Sequence, residues 1–177
     1  RAGGGFRAQT TPPEMIGQLQ VLDLDDLQSA KYAIQTMIYL AVKDGIGLIM
    51  VSEIAGAYHI PPSFLSKITR TLRKHNLISS TRGRNGGIKL AKHPSDIFIN
   101  DILLAIDGPE SIVPKCGFGY DSCSDEFPCP FHHRWKDVIT QVHTLMETET
   151  LDNLSKDVIS RNYLPGLKNT ANLGDLQ

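Results

Sequence analysis

Apolar residues recur with the spacing of an amphipathic helix in several stretches of the chain, separated by segments that contain Gly, Pro and Asn. Asp26 suits the N-cap of the first helix, and Gly45 and Gly47 lie where that helix should end. Pro62 suits the first position of the third helix. The pattern predicts a mainly α-helical chain with helices at about 26–44, from 52 to a turn at 59–61, and at 62–75, 96–107 and 132–150.

The third predicted helix separates its faces clearly. Its inward stripe consists of Leu65, Ile68 and Leu72. Another face carries hydroxyl and basic side chains at i, i+3, i+4, i+7 and i+11, namely Ser63, Ser66, Lys67, Arg70 and Lys74. Two short helices joined by a tight turn, the second of them basic, are typical of a helix-turn-helix. An ordinary amphipathic surface helix is the alternative.

A β-hairpin is predicted directly after this helix, with strands at 77–80 and 88–91. Asn85-Gly86 between the strands is typical of a tight turn with positive φ angles, and Arg82 and Arg84 lie at the tip. A basic hairpin after a recognition-type helix is a wing, whose arginines suit the narrow minor groove of DNA. A purely structural hairpin is the other interpretation. The fold predicted is therefore a winged helix-turn-helix, mainly α with a small β-hairpin wing.

The charge distribution points to a polyanionic partner for the same region. The net charge is only −1, yet no Asp or Glu occurs between Ile54 and Ser95, where eight Lys and Arg residues lie. Such asymmetry points to a polyanionic partner, and from charge alone a solvated surface that happens to be basic is an equal alternative. No apolar run approaches the ~18 residues of a membrane span, so a membrane protein is not expected.

Three cysteines, Cys116, Cys123 and Cys129, lie in one loop and are separated by six and five residues. An odd number without a signal peptide argues against a secreted disulfide scaffold and suits a reducing cytoplasm. Structural zinc sites generally have closer pairs, so these gaps favour an iron–sulfur cluster, with zinc or no metal as alternatives. His132 is the natural fourth ligand. A capping or surface role for His132, and competition from His133, stay open.

The last predicted helix carries an apolar stripe that consists of Trp135, Val138, Ile139, Val142, Leu145 and Met146. Packing within the monomer is one use for this stripe, but a small DNA-binding domain needs a second half-site, which favours a homodimer. The predicted organisation is a leader with a foreign Gly-rich opening at 1–25, a winged-helix DNA-binding domain at 26–107, a cluster-binding loop at 108–131, a dimerisation helix at 132–154 and a tail at 155–177.

Several short motifs occur in a specific order along the chain. They are Tyr32-Ala33, Ser63-Phe64-Leu65, Leu72-Arg73-Lys74, Ser80-Thr81-Arg82-Gly83, Gly86-Gly87 and the three-cysteine loop before a Trp-bearing helix. With these motifs, residues from about 27 to 154 resemble the Rrf2 family of winged-helix transcription regulators. The resemblance implies a homodimer that binds palindromic promoter DNA, with an affinity set by an iron–sulfur cluster.

The resemblance also implies a ligand set. The three cysteines match cluster ligands, and His132 occupies the position at which IscR-like members have a histidine ligand. NsrR-like members instead use an acid from the first helix of the other subunit, and the matching residue is Lys31, which cannot ligate iron while charged. The resemblance therefore favours a 2Fe–2S centre over 4Fe–4S. Two departures limit the transfer. The first cysteine gap is six residues rather than the five of IscR-like members, and Ser66 replaces an acid on the recognition helix, which allows a different DNA target.

The function predicted from the sequence is that of a dimeric DNA-binding transcription regulator whose cluster senses iron, redox or nitric oxide status. Ser63, Ser66 and Lys67 are expected to read bases, while Arg70 and Lys74 meet phosphates and the wing arginines approach the minor groove. Regulation through a zinc site, a thiol redox switch or a protein partner is the alternative. An enzyme is not expected, because no residue set supports a cysteine nucleophile and its base.

Overall fold

The computed structural model describes residues 24–108, 116–120 and 123–164. Within them it has a two-stranded sheet and six α-helices: α1 Leu24–Val42, α2 Val51–Tyr58, α3 Pro62–Lys74, β1 Ile78–Thr81, β2 Gly87–Leu90, α4 Ile99–Asp107, α5 His132–Thr148 and α6 Leu151–Ser160. The mainly α fold with a small hairpin is confirmed. The predictions for 1–23, for 165–177 and for part of the cysteine loop lie outside the described residues.

The core forms around α1, which packs against α3, α4 and α6. Ala33 and Met37 of α1 are fully buried, and so are Leu65 and Leu72 from the predicted inward stripe of α3. The helix α1 begins two residues before Asp26, so the predicted N-cap lies inside the helix. None of the helices in the described part of the chain has the length and apolar character of a membrane span.

The wing is an antiparallel hairpin in which Ile78 lies opposite Leu90 and Thr81 opposite Gly87. The prediction of positive φ angles at Asn85-Gly86 is wrong: the wing residue with a positive φ is Gly83, at 119°. Five residues connect the paired ends, and the Gly86 N–H donates to the Gly83 carbonyl at 3.0 Å. The connection is therefore longer than the two-residue turn in which Asn-Gly takes positive φ angles.

The segment before α2 also supports the wing. Ile49 exchanges two backbone hydrogen bonds with Ile88, at 2.9 and 2.8 Å. Gly87 lies against this segment so closely that a Cβ atom added there would stand 2.5 Å from the Ile49 carbonyl oxygen. The wing is thus fixed to the helix-turn-helix by backbone contact, and position 87 has no room for a side chain.

We expect Gly87→Ala to destabilise the protein by about 1–3 kcal/mol, because the backbone of the wing or of Ile49 must move to admit the methyl group. Urea unfolding measures this change. The matched control is Gly56→Ala in α2, where an added Cβ meets nothing within 4 Å and where alanine should stabilise the helix by about 0.5–1 kcal/mol. Equal unfolding free energies for the two variants would contradict the close approach.

Two helix ends differ from the predictions for the same reason. The Ile99 N–H donates to the Glu149 carbonyl at 3.0 Å, and the Leu151 N–H donates to the Ile97 carbonyl at 2.9 Å. This pairing holds 97–98 extended, so α4 begins at Ile99 rather than at Asp96, and a short 3-10 turn occupies Pro94–Asp96. It also interrupts the last predicted helix, so α5 ends at Thr148 rather than at 150.

The helix α6 was not predicted, and it occupies residues assigned to the end of the dimerisation helix and to the tail. The Thr150 hydroxyl oxygen caps α6 by accepting the Asn153 N–H at 3.3 Å. Leu151 is fully buried, and α6 packs against α1. Residues 151–160 therefore contribute to the core.

Candidate DNA interface and metal centre

A shallow groove separates α3 from the wing. Residues from both elements line it, namely Ser66, Thr69, Arg70, Arg73, Ser80, Arg82 and Ile88. Ile68 and Leu72 bury the opposite face of α3 in the core, which leaves the polar face towards solvent and the groove. Three of the lining side chains carry guanidinium groups, which suit phosphate oxygens because they present several N–H donors in one plane.

Arg73 is a candidate that the sequence analysis missed. Its Nη1 donates to the Ser80 Oγ at 3.2 Å, which joins α3 to β1 across the groove. The predicted polar face was counted from Ser63, and Arg73 does not fall on that series. The spacing of seven residues from Ser66 indicates that the two share a helix face, and this signal could have identified Arg73.

Only some of the predicted DNA-binding residues lie in the groove. Ser66, Arg70 and Arg82 line it. Ser63, Lys67 and Lys74 are exposed on α3, and Arg84 is exposed in the wing. The Ser66 Oγ donates to the Pro62 carbonyl at 2.8 Å, so its oxygen lone pairs are left to accept from a ligand.

All eight basic residues of the acid-free stretch are exposed. They are Lys67, Arg70, Arg73, Lys74, Arg82, Arg84, Lys89 and Lys92. Since they are carried by one helix, its hairpin and the adjoining turn, the charge is concentrated on one region instead of being balanced by acids. A concentrated positive region beside a helix-turn-helix is suited to bind the phosphate backbone of a duplex.

The three cysteines come together between α4 and α5. Their Sγ atoms all lie within 4.8 Å of one another, and the Sγ atoms of Cys116 and Cys129 are 3.8 Å apart. Cys116 is buried, whereas Cys123 and Cys129 are partly exposed. No other group of His, Cys, Asp and Glu in the described residues has this arrangement. The loop thus folds so that three thiols spread over fourteen residues lie next to one another.

His132, the first residue of α5, adds an imidazole to the thiols. Its Nδ1 lies 3.1 Å from the Cys123 Sγ, and its Nε2 lies 2.9 Å from the Asp125 Oδ1. The His133 ring packs edge-on against the His132 ring, with 5.3 Å between the centroids. The structure therefore brings the predicted fourth ligand His132 to the Cys123 thiol. Thiolates and imidazole are donors for iron–sulfur centres and for zinc, so the set fits either group.

The surroundings of the thiols shift their acidity in opposite directions. Burial disfavours the Cys116 thiolate, but hydrogen bonds from the Tyr120 and Phe118 backbone, together with the other two thiols, outweigh it and lower the pKa of Cys116. A backbone hydrogen bond from Cys129 favours the Cys123 thiolate, yet burial and the neighbouring thiols prevail and raise the pKa of Cys123. Cys116 is therefore the thiol that ionises more readily of the two.

An acidic and a basic side chain extend the contacts of His132 on the side away from Cys123, and the sequence analysis identified neither. Lys136 donates to both carboxylate oxygens of Asp125 at 2.8 Å. Hydrogen bonds from Lys136 and then from His132 lower the pKa of Asp125 to about 2. The spacing of four residues between His132 and Lys136 puts both on one face of α5, but nothing in the local pattern indicates that Asp125 reaches this face.

Aromatic residues of the cysteine loop pack against the start of α5. Phe131 stacks obliquely between Phe118 and Trp135, with ring centroids 5.4 and 6.1 Å away. A Cβ atom added at Gly117 would stand 3.0 Å from a Trp135 ring carbon. An alanine after Cys116 would therefore require the Trp135 and Phe131 rings to shift by a few tenths of an ångström.

The family model for Rrf2, described as iron-dependent transcriptional regulator, matches residues 27–157. The chain belongs to the Rrf2 family. Among its relatives, the regulator IscR of Pectobacterium atrosepticum is 29% identical over 73% of this chain and 79% of its own length. The regulator NsrR of Oceanobacillus iheyensis is 30% identical over 71% of this chain and 86% of its own length.

Solved structures show the same Rrf2 architecture. CymR, the global cysteine regulator of B. subtilis, superposes with a TM-score of 0.62 at 26% identity, covering 72% of this chain and 93% of CymR. The predicted family, the winged-helix fold and the absence of an enzymatic role are confirmed, since Rrf2 proteins are transcription regulators. DNA binding follows from that class.

Proposed function

We propose that this Rrf2 regulator is a homodimer that binds promoter DNA through α3 and the wing, and that an iron–sulfur cluster held by Cys116, Cys123, Cys129 and His132 sets its affinity. The cluster responds to iron, redox or nitric oxide status. The observation that carries the proposal is the convergence of three thiols within 4.8 Å, with the imidazole against one of them.

The grouping of the four donors supports a 2Fe–2S centre. They form two close pairs, Cys116 with Cys129 at 3.8 Å and Cys123 with His132 at 3.1 Å. In a two-iron cluster each iron takes two protein ligands, so two pairs of donors suit it. Bound there, the cluster supplies a link between the two ends of the loop that is lost when the cluster is lost.

The position of the loop supports a connection between this link and DNA binding. The loop joins the end of α4 to the start of α5, and α4 packs against both α3 and α5. A change in the loop can therefore reach the recognition helix α3 through α4. It reaches the proposed dimer helix α5 directly, because the loop leads into α5. The two arrangements, with and without the cluster, would differ in the spacing of the two DNA-binding heads.

The test is the visible absorption spectrum of the anaerobically purified protein, with iron, acid-labile sulfide and zinc assayed on the same sample. We expect sulfur-to-iron charge-transfer bands with matching iron and sulfide. Cys116→Ser, Cys123→Ser and Cys129→Ser should each lose most of the iron, since a thiolate ligand is removed. A colourless wild-type protein that stays free of iron after anaerobic reconstitution would overturn the proposal.

A second candidate is a zinc or thiol-redox site, which the short Cys116–Cys129 distance favours. Two thiolates on one tetrahedral ion with bonds of about 2.3 Å would lie roughly 3.8 Å apart, as these sulfurs do. A disulfide requires the same sulfurs to approach to about 2 Å. One equivalent of zinc without iron, or a Cys116–Cys129 disulfide in peptide mass spectra after mild oxidation, would select this candidate.

The dimer is proposed from the exposed face of α5. None of the described residues of this helix is buried, and the side chains of Val138 and Leu145 are 46% and 55% exposed. We expect Val138→Glu/Leu145→Glu to shift the protein from dimer to monomer in sedimentation equilibrium, because both charges would be buried in the interface. The control pair is Lys156→Gln in α6 and Arg161→Gln, the residue directly after α6. A wild-type protein that is monomeric at micromolar concentration would contradict the proposal.

A further inference from the structure

His132 lies between a thiol and a carboxylate that face its two ring nitrogens. The Nδ1 atom is 3.1 Å from the Cys123 Sγ, and the Nε2 atom is 2.9 Å from the Asp125 Oδ1. The side chain of His132 is only 10% exposed, although that of Asp125 is 69% exposed. The imidazole is therefore enclosed, and its two nitrogens are in chemically different surroundings.

The carboxylate that faces Nε2 is itself held in place. Lys136 Nζ donates to both Asp125 oxygens at 2.8 Å. Lys136 is four residues after His132 on α5, so the ammonium and the imidazole approach Asp125 from the same helix face. An exposed ion pair of this kind contributes little to stability. The ion pair therefore matters mainly because it fixes the Asp125 carboxylate that orients His132.

The protonation chemistry of imidazole gives this arrangement a consequence. A neutral imidazole has one N–H donor and one acceptor nitrogen, and an ionised carboxylate only accepts. The hydrogen bond to Asp125 therefore requires the hydrogen on Nε2, which leaves the lone pair on Nδ1, the nitrogen that faces Cys123. Metal-binding histidines usually donate their second ring N–H to a carboxylate or carbonyl, which fixes the tautomer and the ring orientation.

We propose that Asp125 is a positioning residue for His132: its carboxylate, held by Lys136, selects Nδ1 as the ligand atom and keeps the ring directed at the thiols. This inference rests on the proposed function, since it requires His132 to bind the metal centre. Among the described residues, Asp125 bonds to His132 and Lys136 and not to a thiol. It acts only through the hydrogen bond to Nε2.

The experiment uses the full chain with two probes, anaerobically reconstituted cluster and Co²⁺ added to the metal-free protein. The variants are Asp125→Ala, which removes the acceptor, and Asp125→Asn, which keeps an acceptor oxygen without the charge. The control is Glu126→Ala, which removes the same charge from the next exposed residue. Co²⁺ affinity is followed by its absorption bands, and cluster retention by the rate of iron loss to a chelator.

We expect Asp125→Ala to bind Co²⁺ 10- to 100-fold more weakly than the wild type, the range found when an outer hydrogen-bond partner is removed. Its cluster should be lost correspondingly faster. Asp125→Asn should lie closer to the wild type, and Glu126→Ala should match it. Pulsed EPR of the reduced cluster with ¹⁵N-histidine should show weaker or more heterogeneous nitrogen coupling in Asp125→Ala, a change that a purely structural role would not cause.

The outcomes separate this inference from the proposed function. If the wild type takes up cluster and Asp125→Ala behaves like Glu126→Ala with both probes, the positioning role is overturned while the cluster stands. Equal losses in Asp125→Ala and Asp125→Asn would also overturn it, because the accepted hydrogen bond would not be the cause. If the wild type takes up no iron, the cluster proposal fails, and the Co²⁺ measurements still decide whether Asp125 positions His132.

Discussion

The triple variant Arg70→Ala/Arg73→Ala/Arg82→Ala should lose DNA affinity by a factor on the order of 10²–10³ at 0.1 M salt. These residues supply the three guanidinium groups of the groove between α3 and the wing. Each contact to a phosphate contributes about 0.9 to the slope of log affinity against log salt concentration. Three lost contacts should therefore make this slope shallower by about 2.7.

Fluorescence anisotropy of a labelled operator duplex, selected from random sequences with the wild-type protein, measures both quantities across a series of salt concentrations. The control is Lys156→Ala/Arg161→Ala, which removes one positive charge from α6 and one from the residue directly after it. For each charge removed, the control should change the salt slope much less than the triple variant does. The slope depends on the number of charges that contact phosphates and not on the net charge of the protein. A triple variant with the wild-type slope would show that the groove is not where the phosphates bind.

Arg73→Ala and Ser80→Ala should separate two contributions that we propose for Arg73, a contact with DNA and the orientation of the wing. Its hydrogen bond to Ser80 joins α3 to the wing, so losing Arg73 removes both a charge and a connection between the two DNA-binding elements. Ser80→Ala removes the connection alone. If Arg73 also contacts the duplex, Arg73→Ala should weaken DNA binding more than Ser80→Ala does. Equal losses would mean that Arg73 acts through the wing alone.

The parts of the fold that the sequence predicted are those whose signals are local. The stripe of Leu65, Ile68 and Leu72 repeats at helical spacing and is buried as expected. The cysteine loop was recognisable because three cysteines and His132 lie close in sequence. The wing was predicted by its arginines and glycines, but the positive φ was assigned to the wrong residue, since the length of the connection depends on which strand residues pair.

The parts that the sequence did not predict depend on contacts between distant segments. The start of α4 is set by the pairing of Ile97 and Ile99 with 149–151, about fifty residues away, and no local pattern encodes this pairing. Asp125 was overlooked because only the folded loop brings its carboxylate to His132 and Lys136. Residues 151–160 were assigned to the end of the dimerisation helix and to the tail instead of to a helix of their own. The local signals for a helix were present: Thr150 suits an N-cap, Asp152 is an acid in the first turn, and Leu154 is an apolar position.

Leu151 offers the sharpest test of whether α6 belongs to the folded core. It is fully buried, and its N–H donates to the Ile97 carbonyl, so its side chain and its backbone both tie α6 to the start of α4. We expect Leu151→Ala to lower the free energy of unfolding by about 2–5 kcal/mol, through lost burial and the cavity left behind. Urea unfolding at one fixed protein concentration measures this, which keeps any dimer contribution constant.

The matched control is Leu104→Ala in α4, since Leu104 is 38% exposed and the same truncation there should cost about 0.5 kcal/mol or less. The difference between the two variants isolates the effect of burial from the loss of a leucine in a helix. If Leu151→Ala costs no more than Leu104→Ala, then α6 does not pack on the winged helix in solution, and the ends of α4 and α5 would lose the pairing that defines them.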